Sequence, residues 1–373
     1  MVTLAQIVDQ HGPAYLAQYG DRMLLSHHQA LRAIVQCRTA ALGGHVYQCD
    51  ACDETVYHYH SCRNRHCPQC QHGAGQRWLE KQQQLLLSVP YFLLTFTLPA
   101  ALRPLARRQQ RMMYNWLFRC AADAIQTLAG DDRHIGGQAG LIGVLHTWGR
   151  NLSYHPHVHF LVPAGGLTAD GQWRATSHNF FLPAKALSRL FRAKMRDALR
   201  QTALFTEAPA AVWHNEWVVH SQPVGDGHRA LRYLAPYIFR VALSNRRLVK
   251  VVNGRVTFRY RRSDSGTLRT CTLDAPAFIH RFLQHVLPKG FVKVRYYGFF
   301  AAGQRPRLQR LQAQLARQSS SNISEMTASA DWTSSADEAS TDASDNERTV
   351  RCPHCQQPLS LRRKLYPPTR SPP

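Results

Sequence analysis

The chain is short of acidic residues. Its 373 residues carry 23 Asp and Glu against 46 Lys and Arg, a net charge of +23. Such an excess calls for a polyanionic partner, and nucleic acid is the first class to consider. A merely basic surface is the bland alternative, but it leaves the histidine pattern below unexplained. The chain also lacks any run of 18 or more apolar residues, which excludes a membrane-spanning helix. Its opening, MVTLAQIVDQHGPAYL, lacks a basic stretch followed by an apolar one, so it does not read as a secretory signal. Nothing suggests export. The ten cysteines are therefore expected to be reduced, in a cytoplasmic setting, and to bind metal rather than form disulfides.

What the chain does have is periodic structure around clusters of histidine and cysteine. Residues 1 to 40 read as helical, and 45 to 72 form a module rich in Cys and His. A short helix at 76–88 leads into a strand at Tyr91–Leu98, which ends at Pro99. Residues 101–129 read as helix, Leu141–Trp148 and Pro156–Val162 as strands, and 183–203 as a basic helix. A strand is expected at Trp213–His220, a helix at 228–243, and a hairpin at 249–260 around Asn253-Gly254. A helix at Phe278–Val286 and a strand at Phe291–Phe300 follow. From Gln318 to Val350 the composition turns to Ser, Thr, Ala and acid. This stretch holds seven of the chain's acidic residues and one basic residue, Arg348, and reads as a disordered linker.

Four constellations carry chemistry. The run His155-Pro156-His157-Val158-His159 places His157 and His159 on one face of a strand, where two imidazoles can share a divalent ion. Two histidines hold Mg²⁺ or Mn²⁺ poorly, so a third ligand is needed. His155 has the right parity, but it and His159 are separated by roughly 13 Å along a strand. His146, at the end of the preceding strand, can reach the pair if the two strands run antiparallel. Two half-exposed strand histidines are the structural alternative.

Cys49-x2-Cys52 and Cys67-x2-Cys70 have the spacing of a four-cysteine zinc ribbon. Cys62, His66, His45, His58, His60 and His72 lie nearby as substitute ligands, second-site ligands or surface groups. Arg63, Arg65 and Gln69 are candidate phosphate or base contacts, or simply solubilising groups.

Tyr233 and Tyr237 stand at i and i+4 of a predicted helix and offer two phenol oxygens on one side. Packing into a core is the alternative. Pro236 removes a hydrogen bond and kinks that helix beside Tyr237. Cys352 and Cys355 make half a zinc site. Their partner could be His354, Cys37 or another chain, or the pair could be a chance remnant.

Five segments occur in order: HVYQCDACDETVYHYHSCRNRHCPQCQ, YFLLTFTLP, HTWGRNLSYHPHVHFLVPAGG, YLAPYIFRVALSNRRL and FIHRFLQHVLPKGFVKVRYYGFF. Together they resemble the rolling-circle, two-tyrosine HUH transposases of the insertion-sequence 91 family over residues 5 to 305. Pro236 stands where that family usually has a basic residue. The resemblance implies an α+β fold, an HUH-type antiparallel sheet flanked by helices, preceded by an N-terminal helical and zinc-ribbon domain. The implied domains are 1–80 (helical and zinc-binding), 85–305 (catalytic), 306–350 (basic helix, then acidic Ser-rich linker) and 351–373 (the CxxC segment).

In that reading His157, His159 and His146 hold catalytic Mg²⁺ or Mn²⁺, and Cys49, Cys52, Cys67 and Cys70 hold structural Zn²⁺. Tyr233 and Tyr237 are the nucleophiles. Single-stranded DNA at the element ends and target DNA are the partners. Arg246, Arg247, Lys289 and Lys293 are candidate backbone contacts. The alternatives are a plasmid replication initiator or relaxase using the same chemistry, and a zinc-dependent DNA-binding protein whose nuclease site has decayed.

Overall fold

The computed structural model describes residues 2–70, 72–176, 179–229, 231–232, 242–262, 265–327 and 350–368, with side chains described outside 71–77 and 319–327. At its centre is a five-stranded, wholly antiparallel sheet. The strands are β3 (Pro90–Thr97), β4 (Leu141–Trp148), β5 (Tyr154–Pro163), β8 (Val219–Asp226) and β12 (Val294–Tyr297). Their order across the sheet is β12-β4-β5-β3-β8. This is the antiparallel sheet that the resemblance implied.

The alternation of the strands sorts the sheet into two faces. Phe92, Leu94 and Phe96 of β3, Val158, Phe160 and Val162 of β5, and Leu141 and Leu145 of β4 share one core. Helices α4 (Arg103–Arg108), α5 (Gln110–Ala129) and α6 (Ala184–Arg200) cover it. In α5 the buried Met113, Tyr114, Leu117, Phe118, Ala121, Ala124 and Ile125 recur at helical spacing. Gly143 is required here. A Cβ at that position would lie 2.6 Å from a ring carbon of Phe160, its cross-strand partner.

The opposite face carries Tyr91, Leu93, Ile142 and Leu161. Half of it is covered by Phe299, Phe300, and Leu308, Leu311 and Leu315 of the helix Arg305–Thr327. The other half carries histidines. No helix among the described residues is long and apolar enough to cross a membrane.

The N-terminal helices α1 (Leu4–Tyr19) and α2 (Leu25–Gln36) do not make a core of their own. Leu4, Ile7, Val8, Leu31 and Ile34 pack with Leu248, Val256, Phe258, Phe278 and Phe282. The latter belong to a second sheet, β9 (Leu248–Val252), β10 (Arg255–Arg261) and β11 (Leu268–Asp274), and to the helix Ala275–Leu283. Asn253 and Gly254, both at positive φ, turn β9 into β10. That is the hairpin expected from Asn-Gly. A third sheet has the order β13-β1-β2, with β1 Gly44–Cys49, β2 Thr55–Tyr59 and β13 Leu359–Leu365.

Several elements differ from the sequence reading. Trp213–His220 is not one strand: Trp213 ends a 3-10 turn and β8 begins at Val219. Trp213 and Trp217 stack at 5.8 Å, and the Trp217 indole donates to the Val212 carbonyl at 2.9 Å. Aromatic burial against α6 overrides strand propensity there. The strand expected at Phe291–Phe300 shortens to four residues, because Gly298, at positive φ, starts a 3-10 turn. The backbone stays helical to Thr327, so residues 318–327 are not part of an irregular linker. The rest of the linker, 328–349, lies outside the described residues, as does most of the helix expected at 228–243.

Candidate metal and DNA-cleavage site

The antiparallel register of β4 and β5 sets His146 directly opposite His157. His159 lies two residues along β5 on the same face, diagonal to His146. The ring centroids are 5.3 Å apart for His146–His157, 4.5 Å for His146–His159 and 4.8 Å for His157–His159. One ring nitrogen from each lies within 4.8 Å of the other two. The structure thus brings together the three histidines singled out from the sequence. His155 stays out of the triad and accepts a 2.7 Å bond on Nδ1 from Arg103.

Burial and hydrogen bonding prepare the imidazoles as ligands. Burial lowers the pKa of all three, to about 4 for His157, so each is neutral near pH 7. His157 Nδ1 lies 2.7 Å from the His155 carbonyl, which can only accept. The proton is therefore on Nδ1, and Nε2 keeps its lone pair for the site. The Thr95 hydroxyl, on β3, lies 2.9 Å from His159 Nδ1 and can fix that ring in the same tautomer. His146 stacks on Trp148 at 5.4 Å. Lys293 lies 4.8 Å from the Trp148 ring, and burial lowers its pKa to about 7. The donor set fits a divalent ion: three neutral nitrogens, two of them on rings held by hydrogen bonds, with nitrogen better suited to Mn²⁺ than to the harder Mg²⁺.

The cysteines are grouped differently from the sequence reading. Cys49, Cys52, Cys67 and Cys70 do not meet. Cys67 and Cys70 converge with Cys37 and Cys62, while Cys49 and Cys52 converge with Cys352 and Cys355. The β1–β2 hairpin separates them. Cys49 and Cys52 occupy its turn, whereas Cys62 follows Tyr59 at the open end, roughly 16 Å away at strand rise. Cys37, at the end of α2, is held beside the open end by the Arg38 N–H to the His60 carbonyl. Four thiolates around zinc sit about 3.8 Å apart, and the Cys62 and Cys70 sulfurs are 3.7 Å apart. Bonds from Cys67 and from the Asn64 N–H lower the Cys62 pKa toward the thiolate form.

Loop 62–70 also docks on the connection between the helix Ala275–Leu283 and β12. Arg65 donates to the Phe291 carbonyl at 2.6 Å, and His66 Nε2 accepts from the Leu287 N–H at 3.3 Å. Arg65 spends one guanidinium N–H on this contact and stays exposed. Arg247 donates to the carbonyls of Ala242, Arg259 and Arg150. Arg246 and Lys289 remain exposed.

A basic feature that the sequence reading passed over lies on α4 and α5. Arg107, Arg108, Arg111, Arg119 and Arg295 line a groove of about 710 Å³. The run RPLARRQQR carries that signal in the sequence, inside the helical pattern of 101–129. Tyr233 and Tyr237 lie outside the described residues.

Two family models match the chain. One, described as "Transposase zinc-binding domain", covers residues 7–98. The other, described as "Putative transposase", covers residues 140–308. A relative from Sinorhizobium fredii (strain NBRC 101917 / NGR234), "Putative transposase y4qJ", is 42% identical over 331 residues, 83% of this chain and 82% of the relative. The "Transposase for insertion sequence element IS801" of Pseudomonas savastanoi pv. phaseolicola is 32% identical over 295 residues, 73% of this chain and 70% of the relative. The chain belongs to the insertion-sequence 91 transposase family. No solved structure matches it. The Cys37, Cys62, Cys67 and Cys70 cluster falls wholly inside the zinc-binding match of this transposase, and these are the residues that would hold its structural zinc. The histidine triad falls inside the other match.

Proposed function

We propose that this transposase nicks and rejoins single-stranded DNA through a 5′-phosphotyrosine, mobilising an insertion sequence by rolling-circle transposition from the cytoplasm. The observation that carries the reading is the triad of buried, neutral imidazoles on one sheet face. When bound there, Mg²⁺ or Mn²⁺ supplies positive charge that polarises the scissile phosphate. His146, His157 and His159 orient the ligand atoms, and Thr95 and the His155 carbonyl hold two of those rings.

In this proposal the Tyr233 oxygen attacks the phosphorus. The new bond is phosphotyrosine at the 5′ end, and the bond to the 3′ oxygen breaks. The 3′ oxygen leaves and takes up a proton, while the phenol proton passes to solvent. Tyr237 serves the second transfer. The phosphotyrosine conserves the energy of the broken ester, so no nucleotide cofactor is needed. Exposed basic groups such as Arg246 and Lys289, and the arginine groove along α4, α5 and β12, would contact DNA backbone.

The test is Mn²⁺-dependent cleavage of a labelled oligonucleotide carrying the element end. His157→Ala or His159→Ala should abolish cutting and leave DNA binding largely intact. Wild-type cutting by either variant would dismiss the triad as the ion site. A decayed nuclease with a DNA-binding role would show no cutting by the wild-type chain.

A further inference from the structure

We infer that Cys49, Cys52, Cys352 and Cys355 form a second zinc site, whose ion fastens the C-terminal segment to the N-terminal domain as the missing half of a zinc ribbon. Neither family match reaches it from both sides: one ends at residue 98 and the other at 308. The sulfurs of Cys49 and Cys355 are 3.3 Å apart, those of Cys52 and Cys352 3.6 Å, and those of Cys52 and Cys355 3.5 Å. All four lie within 4.8 Å of one another. These spacings are far longer than a disulfide bond of about 2.05 Å. They approach the edge of about 3.8 Å of a zinc–thiolate tetrahedron.

The two halves repeat one backbone design. The Cys49 N–H donates to the Glu54 carbonyl, and the Asp53 N–H donates to the Cys49 carbonyl. In the same pattern, the Cys352 N–H donates to the Gln357 carbonyl, and the Gln356 N–H to the Cys352 carbonyl. Asp53 and Gln356, each directly after its second cysteine, both take positive φ, at 54° and 61°. One knuckle sits between β1 and β2, and the other leads into β13, which pairs with β1 from Gly44↔Leu365 to Cys49↔Leu359. A pair of cysteines of unknown partner in the sequence thus becomes half of a built site.

Apolar burial does not account for the docking. β13 is mostly exposed, and among residues 350–368 only Cys352 is buried. Ser360 and Arg362 add bonds to the Asp50 carboxylate, at the surface. An exposed C-terminal segment whose one buried residue is a cysteine of the cluster is what a metal-fastened segment requires. Thiolates select zinc over magnesium, which sets this ion apart from the one proposed for the histidines.

The test starts with metal analysis of the full chain. It should hold about two zinc ions, and Cys352→Ser/Cys355→Ser about one. Cobalt loading should show thiolate-to-cobalt absorption falling by half in the double variant. As a second measurement, a protease site placed within residues 330–345 is cut in the otherwise unaltered chain. The fragment 350–373 should stay with the body in zinc and leave it when a chelator is added. With the double substitution it should leave even in zinc. One zinc in the wild-type chain, two retained in the double variant, or release of the cut wild-type fragment in zinc would overturn the inference.

Discussion

Thr95→Val probes how the histidine site is held without touching a ligand. The Thr95 hydroxyl is 2.9 Å from His159 Nδ1, and its strand pairs residue for residue with the histidine strand. Valine keeps the shape and the strand preference and removes the oxygen. The His159 Nδ1–H then faces an apolar methyl at a site where water is scarce. Leaving a buried donor unsatisfied costs about 1–3 kcal/mol. The ring can escape that cost by turning or by changing tautomer, and either change withdraws Nε2 from the ion. Loss of such a supporting bond lowers metal affinity about 10–100-fold, or roughly 1.4–2.7 kcal/mol. The assay is the Mn²⁺ concentration that gives half-maximal nicking, together with calorimetric Mn²⁺ binding. Both should shift upward by the same factor, while cutting at saturating Mn²⁺ stays near wild type. An unchanged Mn²⁺ dependence would refute the role given to Thr95. So would a loss of cutting that excess Mn²⁺ fails to rescue.

Three further outcomes follow from the same geometry. Cys62→Ser should remove one zinc and loosen the loop that carries Arg65 and His66, lowering thermal stability; metal analysis with full zinc would reject Cys62 as a ligand. In metal-free protein, burial holds His157 and His285 neutral with pKa lowered to about 4 against 6.5 unfolded. The unfolded chain therefore takes up protons first as pH falls, so stability is present above about pH 6.5 and is lost between there and pH 4. For the fully buried His285 the loss is on the order of 3 kcal/mol; a midpoint of unfolding flat across that window would contradict it. Gly143→Ala forces a methyl into the Phe160 ring and should cost about 1–3 kcal/mol of stability, read by denaturant unfolding; an unchanged midpoint would show that the ring can move aside.

What was legible in the sequence was local. Strand parity put His157 and His159 on one face, and the short link between two apolar runs put His146 opposite them. The Asn-Gly hairpin and the helical spacing of α5 were readable for the same reason. The cysteines were not, because spacing along the chain cannot show that a rigid hairpin separates Cys52 from Cys67. Nor can it show that partners of Cys49 stand three hundred residues away. The packing of the N-terminal helices on Phe258 and Phe278 was hidden for the same reason, since those contacts are equally distant in sequence. Arg65 and Arg247 looked like free cations, and only the fold shows the carbonyls that engage them. The tryptophans at 213 and 217 looked like strand residues until their stacking was seen.

The most direct test of the account is to trap the covalent complex. The wild-type chain is incubated with Mn²⁺ and a single-stranded oligonucleotide carrying the element end, and the adduct is digested and mapped. A 5′-phosphotyrosine is expected on the peptide containing Tyr233, lost in Tyr233→Phe while the protein remains folded. Tyr237→Phe should still allow the first cut and fail in the complete transposition cycle. Normal cutting by both Phe variants with no adduct at either tyrosine would contradict the account and point to hydrolysis by water.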